Sequence, residues 1–317
     1  MTGRKKTITI TGGSGFVGGV IKSGLRNQGY DIDIFDPMRG VLVDMLRHRY
    51  LGTSSSRLSR SLAPKIRQAQ SRAERLLVKT RLIRPTSDTI LDTPDHLTER
   101  FKNSYAVIHL AALPHPNVPG MTAADYQRIN FEGSVNIFRA AQAAGVKRFI
   151  FASSAQVYNI NKPFHIEQFP ILETNYLPTI AEGQSPYGFL KGEFERYLAQ
   201  HCNGHDMQAV ALRLEFPGVR SLYPWNFYIS TSVENTVNGF VRALETDIPS
   251  GFDAFNIADQ YIDPTIVDIQ DFLKKDWPDI PNHTTGNECL VSTEKARSVL
   301  GYNPKTGGTY HSFRVMW

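Results

Sequence analysis

Thr7-Ile8-Thr9-Ile10-Thr11 runs directly into Gly12-Gly13-Ser14-Gly15-Phe16-Val17-Gly18, and an amphipathic stretch, Phe16–Asn27, follows at once. Few sequence features constrain a fold as tightly. A buried strand must end, turn within a few residues and start a helix. The first glycines permit the tight turn and bring the backbone close to whatever lies above it, and the last permits close packing of helix on strand. The helix start then presents free N–H groups and a positive dipole end, which together suit a pyrophosphate. Asp36 ends a second strand, Asp31–Phe35, 18 residues after Gly18. A carboxylate there accepts both hydroxyls of an adenosine ribose and repels a 2′-phosphate, which points to NAD rather than NADP, although Arg39 is nearby.

Strands and helices alternate beyond this point. Short strands are expected at Thr89–Leu91, Ala106–Leu110, Arg148–Ala152 and Ala209–Leu214, and helices at Ala123–Ala144 and Tyr187–His201. The alternation predicts an α/β fold, a doubly wound parallel sheet of the Rossmann type with helices on both faces. Residues 1–215 are expected to form the NAD-binding domain. Residues 216–317, rich in loops, prolines and aromatics, are expected to form a small substrate-binding lobe with a helix at Ser232–Glu245, a strand at Ala254–Ile257 and a short helix at Thr293–Leu300.

The formal charge of +5 is unevenly distributed. Between Arg39 and Arg84 stand twelve Lys or Arg against two Asp or Glu, while the rest of the chain is mildly acidic. Residues 40–85 are also too long for a strand-to-strand connection and read as a basic helical insertion. Its arginines suit a phosphate or acidic substrate, an anionic membrane surface touched peripherally, or simple packing and assembly. No aromatic platform interleaves the charge, so nucleic acid is not an expected partner. No apolar run is long enough to span a bilayer. The polar start, Met1–Lys6, carries no signal-peptide pattern, and two distant cysteines, Cys202 and Cys289, make no disulfide framework, so a cytoplasmic setting is expected. His201-Cys202-x-x-His205 has no acidic or Cys partner nearby, and no metal is expected.

Tyr187 and Lys191 stand at i, i+4 in a helix that follows Ser185-Pro186. That spacing puts both side chains on one helical face. A phenol is a poor base at neutral pH, and a neighbouring ammonium favours its ionised form. The pair can therefore take a proton from a carbinol while a nicotinamide takes the hydride. Strand Arg148–Ala152 runs into Ser153-Ser154-Ala155-Gln156, where Ser154 is placed to bridge a substrate hydroxyl and Tyr187. Asn130 is placed to hold a water or backbone group behind Lys191. His115 follows Pro114, where the chain should pass near substrate. Asp92 is placed near the adenine, or caps the helix that includes Leu97.

Together TGGSGFVG (11–18), Asp36, Asp92, HLAA (109–112), NFEGS (130–134), FASSAQVY (151–158) and SPYGFLK (185–191) resemble the extended short-chain dehydrogenase/reductase family, NAD-dependent epimerase/dehydratase type. The resemblance implies cofactor contacts from Gly12, Gly15, Phe16, Val17, Gly18, Asp36, Asp92, Thr93, Leu110, Ala111, Ala112, Ser153, Tyr187 and Lys191. It implies catalytic roles for Tyr187, Lys191, Ser154 and Asn130, and substrate contacts from Ser154, Ala155, Gln156, His115 and Phe216. It also implies a homodimer built through the helices at 123–144 and 187–201.

Two departures bear on the reaction. The 4,6-dehydratases of this family carry Thr-Asp-Glu where this chain has Ser154-Ala155-Gln156, so water elimination is not expected. Members similar to UDP-galactose 4-epimerase carry Arg-x-x-Asn-Pro where this chain has Arg213-Leu214-Glu215-Phe216-Pro217, with Phe216 in place of the Asn. The resemblance thus implies a sugar or nucleotide-sugar epimerase working through a transient ketone. The missing Asn and the short tail leave open a sugar or uronate dehydrogenase that forms NADH, and the basic insertion leaves open a non-catalytic NAD-binding scaffold.

Overall fold

The computed structural model describes residues 5–36, 38–39, 84–85, 89–114, 121–160, 166–175, 186–202 and 206–311. Their elements are β1 (Thr7–Thr11), α1 (Phe16–Asn27), β2 (Asp31–Phe35), β3 (Met38–Arg39), β4 (Arg84–Pro85), α2 (Pro94–Phe101), β5 (Ala106–His109), α3 (Ala123–Tyr126), a π turn (Gln127–Glu132), α4 (Gly133–Ala143), β6 (Arg148–Ser154), α5 (Pro186–Cys202), β7 (Gln208–Leu214), α6 (Val233–Glu245), β8 (Phe252–Ile257), α7 (Ile269–Asp276) and a second π turn (Ala296–Leu300). One parallel sheet runs in the order β2-β1-β5-β6-β7-β8, and β3 pairs antiparallel with β4.

Residue alternation sorts the core into two layers. Ile8, Ile10, Ile108, Ile150, Val210 and Leu212 face one way and pack with Val20, Ile21 and Leu25 of α1 and Phe240 and Leu244 of α6. Val107, Phe149, Phe151, Ala209 and Ala211 face the other way and pack with Leu97, Phe101, Phe138, Phe194 and Leu198. A sheet covered on both faces needs strands that are apolar at nearly every position, and β5, β6 and β7 have them. Each large side chain removed from water there contributes roughly 1.5–3 kcal/mol. Aromatic edges add to this, as where Phe194 meets Phe151 at 4.8 Å between ring centroids.

The C-terminal third has a double membership. Helix α6, capped by Ser232, and strand β8 join the main sheet layers. The remaining segments form a third apolar cluster in which Phe227, Ile262, Phe272 and Leu290 pack with Val157, Tyr158 and Phe169.

Three expected elements come out differently. Thr89–Leu91 is not a strand but a turn, closed by Asp92 N–H on the Thr89 carbonyl at 3.0 Å. The helix expected over 123–144 is broken into α3 and α4 by the π turn that contains Asn130. The helix expected over Thr293–Leu300 is a π turn over its last five residues. The basic stretch 40–85 lies outside the described residues except for the backbone of β4, as do His115, Ser185 and His205. Among the described residues no helix is long and apolar enough to cross a membrane.

Candidate active site

The chain leaves β1 for β2 on one side and returns to β5 on the other, so the order of the sheet reverses between β1 and β5. Such a reversal opens a crevice at the carboxyl ends of the strands. The glycine turn lies on one wall of that crevice. Gly12 has φ +67°, and a Cβ there would stand 2.8 Å from the Ala111 backbone. The turn and the Leu110–Ala112 segment are therefore pressed together, with Leu110 N–H on the Thr11 carbonyl at 3.1 Å. Helix α1 follows Gly15, its N-cap, with no side-chain cap and no acid in its first turn. Its leading N–H groups thus suit an anion, and the phosphates of a dinucleotide fit this cradle. Phe16 and Val17 turn their side chains into the core beneath. The Asp36 carboxylate sits at the mouth of the turn and accepts Ser14 N–H at 3.1 Å.

Asp92 is engaged with α2. It accepts Thr93 N–H at 2.8 Å and bonds His96 Nδ1 at 2.6 Å, and these two contacts hold its carboxyl below the ordinary range. Thr93 is the N-cap of α2. The cap therefore falls to Thr93, whose hydroxyl accepts His96 N–H at 3.4 Å, and Asp92 braces it from the preceding position.

Tyr187 and Lys191 lie buried on one face of α5. Lys191 Nζ donates to the Ala152 carbonyl at 2.7 Å, stands 4.5 Å from the Phe151 ring centre and 5.8 Å from that of Tyr187. Ser154, at the end of β6, is hydrogen-bonded to Tyr187 and accepts Gln156 N–H at 3.1 Å. Gly188 makes this assembly possible, because a Cβ there would fall 2.1 Å from the Gln156 carbonyl oxygen. The helix carrying the Tyr/Lys pair rests directly on the backbone that follows Ser154.

Burial governs the electrostatics. It pushes the Tyr187 phenol up, and the nearby Glu215 adds to that. It pushes the Lys191 ammonium down to about 7, against a partial opposing effect of Glu195. The i, i+4 spacing suggests that Lys191 lowers Tyr187, but desolvation raises the phenol instead and likewise penalises the charged ammonium. A positive nicotinamide ring, once bound, supplies charge of the sign that favours phenolate.

Several other residues named from the sequence have partners of their own. Ser153 alternates to the opposite face from Ser154, and its hydroxyl donates to Glu195 Oε1 at 2.5 Å. Glu195 is ion-paired with Arg213 at 2.6 Å, both almost fully buried. Ala155 is packed in the third apolar cluster. Asn130 holds a backbone group, as the sequence allowed: it clamps Leu113, accepting its N–H at 2.7 Å and donating to its carbonyl at 3.2 Å. Gln156 donates to Glu215 Oε1 at 3.4 Å. Phe216 is buried with φ +45°, against Tyr223 and Trp225. His201 stacks on Tyr197 and bonds its carbonyl at 2.8 Å.

Two residues received no role from the sequence. Glu215 is one, a buried acid just beyond β7, legible only as a charge at the end of an apolar strand. His109 is the other, fully buried in β5. Ala111 N–H donates to Thr11 Oγ1 (3.3 Å), which contacts His109 Nδ1 (2.7 Å), and His109 Nε2 meets Ser134 Oγ (2.8 Å), which donates to the Asn130 carbonyl (2.7 Å). Ser134 has one proton and gives it to Asn130, so His109 carries its proton on Nε2 and accepts from Thr11. This directed chain ties the glycine turn and the 110–113 segment to the π turn.

With the crevice, the glycine cradle and the Tyr/Lys/Ser cluster in place, a family model for the NAD-dependent epimerase/dehydratase family matches residues 8–217. The chain belongs to that family. The family's cofactor is NAD, and the cradle described above fits it. The chain is 27% identical over 211 residues to the UDP-glucose 4-epimerase of Erwinia amylovora, covering 65% of this chain and 52% of that protein. It is 29% identical over 223 residues to the UDP-glucose 4-epimerase of Schizosaccharomyces pombe, covering 69% and 54%. The chain thus spans about half the length of the curated relatives it matches. A short-chain dehydrogenase/reductase superfamily protein of Agrobacterium tumefaciens, solved with NAD, shares the fold with a TM-score of 0.61 at 20% identity over 98% of this chain and 94% of that one.

Proposed function

We propose that this protein is an NAD-dependent sugar or nucleotide-sugar epimerase that works through a transient ketone. The observation that carries the reading is the cluster of Tyr187, Lys191 and Ser154 at the carboxyl end of β6, beside a glycine cradle that suits a dinucleotide. Residues 1–215 would bind NAD, and the loops of 216–317 would close on the sugar.

NAD held in the glycine cradle would supply the hydride acceptor and donor for the sugar carbon. Ser154 orients the reacting hydroxyl toward Tyr187. Tyr187 in its ionised form takes the hydroxyl proton as the C–H bond breaks, and returns it when the ketone is reduced on its other face. Lys191, held by the Ala152 carbonyl, would hold the nicotinamide ribose and favours phenolate when charged. Asn130 fixes the Leu113 backbone, and the His109 chain fixes the neighbouring Ala111. Arg139 Nε donates to Tyr197 Oη at 2.9 Å, bracing α4 against α5, and these two helices are the face we assign to a homodimer.

A second reading has one observation in its favour. Phe216 occupies the position of the Asn that epimerases similar to UDP-galactose 4-epimerase carry, which fits a dehydrogenase acting on a smaller sugar. One experiment separates the two: purified protein with NAD and a panel of free sugars, uronates, sugar phosphates and nucleotide sugars, followed at 340 nm and by NMR. The proposal expects a changed sugar with no net NADH. Stoichiometric NADH growth would replace the epimerase with the dehydrogenase.

A further inference from the structure

A carboxyl group stands where the reaction above has no use for one. Glu215 is 7% exposed and directly follows β7. Its carboxyl receives Gln156 Nε2 at 3.4 Å and is hydrogen-bonded by Ser154 and Asn226. Asn226 is itself fully buried and held by Ser221, which donates to its Oδ1 at 2.5 Å. Ser154 is in turn bonded to Tyr187, so one hydroxyl separates Glu215 from the phenol. The next residue, Phe216, holds φ +45°, a conformation that costs a non-glycine residue free energy and persists only where the surroundings enforce it. The chain is bent at this point, and the bend carries the carboxyl against the two residues, Ser154 and Gln156, that extend from β6.

We propose that Glu215 sets the substrate charge this site accepts: it borders the reacting carbinol through Ser154 and Gln156, receives neutral hydroxyl-bearing sugars and turns away sugars that carry a carboxylate on the same ring. This rests on the sugar-epimerase reading. The partners of Glu215 are neutral donors, so nothing within its hydrogen-bonding shell cancels a second negative charge. A sugar hydroxyl can donate to a carboxylate or accept from a carboxylic acid. A uronate carboxylate can only repel the ionised form, and in a buried site that repulsion is weakly screened. Burial lifts the Glu215 carboxyl to about 7, so a substantial ionised fraction is present at neutral pH and rises above it. The titratable side chain facing it from α5 is Tyr187, with Lys191 one turn further along. Specificity of this kind comes from an unfavourable contact with the wrong ligand, not from an added contact with the right one.

The test uses the full chain loaded with NAD and a matched pair, UDP-glucose and UDP-glucuronate, which differ by a hydroxymethyl against a carboxylate. Both kcat/KM and Kd are measured for the wild type, Glu215→Gln and Glu215→Asp at pH 8. The wild type is expected to favour the neutral sugar. Glu215→Gln, which keeps the shape and removes the charge, is expected to narrow the preference by roughly tenfold or more, chiefly in KM and Kd. Glu215→Asp, which keeps the charge, is expected to retain the preference. A wild type that favours the uronate, or a ratio equal in wild type and Glu215→Gln, overturns the inference while leaving the epimerase reading standing. Failure of the wild type to bind or convert either sugar, or any member of the panel above, overturns both. The wild-type preference and the Asp variant decide the question if the Gln variant does not fold.

Discussion

His109 shows what a single buried residue contributes here. It lies within a parallel strand, with Thr11 on one ring nitrogen and Ser134 on the other, and burial together with the nearby Lys191 pushes its pKa down to about 3. Folded, the ring stays neutral where the unfolded chain, with its ordinary value near 6.5, takes up a proton. The unfolded state therefore binds more protons between pH 6.5 and about 3. The stabilisation is fully present above pH 6.5 and is lost as pH falls toward 3, by up to about 4 kcal/mol. Urea unfolding at pH 7 and pH 4.5 checks this. The wild type should lose about 2–3 kcal/mol more across that interval than His109→Asn, although the variant starts less stable because its relay is broken. Equal losses would contradict the assignment. The sequence shows His109 plainly within HLAA, but nothing in one dimension indicates that Thr11 and Ser134 flank it, since those contacts span 98 and 25 residues. Ser153 is the converse case. Strand alternation turns its hydroxyl to Glu195, a partner 42 residues away that the sequence does not indicate.

At the scale of the element, α5 carries the Tyr/Lys pair proposed for the chemistry, and Gly188 sets its position. The Tyr/Lys spacing predicted a helix with both side chains on one face, and the helix is there. Its distance from the backbone after Ser154 was not legible, because that depends on a glycine whose role appears only in three dimensions. A Cβ at 188 would meet the Gln156 carbonyl at 2.1 Å, so Gly188→Ala must push the helix start away. A misplacement of about 1 Å at a reacting centre costs on the order of 100-fold in rate. Gly188→Ala should therefore lose roughly 100-fold in kcat and some 1–3 kcal/mol of stability, read by NMR turnover and thermal melting. Wild-type kcat in a folded variant would contradict the packing account. The π turn is a second lesson. Apolar periodicity over 123–144 matches a single helix, and one extra residue per turn hardly disturbs that pattern. Yet the turn sets Asn130 against Leu113, and such turns recur at functional positions.

For the whole molecule, the sheet and its winding were legible because buried parallel strands are written as apolar runs separated by helical periods. Thr89–Leu91 failed because three residues carry too little pattern to distinguish a strand from the turn they form. The end of the sheet was harder to read. Strand β8 and α6 come from the segment expected to form the substrate lobe, and only the pairing of Ala209–Leu214 with Phe252–Ile257 reveals that membership. The consequence is functional. Glu215 and Phe216 sit at the junction between β7 of the sheet and the loops that pack outside it, which is where the proposed substrate role of Glu215 would be exercised.

The account's central claim is that Tyr187, supported by Lys191 and Ser154, moves the proton at a sugar hydroxyl beside bound NAD. The most direct test is turnover of UDP-glucose followed by NMR for the wild type and Tyr187→Phe, with NAD affinity measured on both. The account predicts a roughly 10²- to 10⁴-fold loss of kcat in Tyr187→Phe with NAD affinity changed little. A Tyr187→Phe protein that binds NAD and retains more than about a tenth of wild-type kcat would contradict it, since general acid–base catalysis of this size cannot be lost unnoticed.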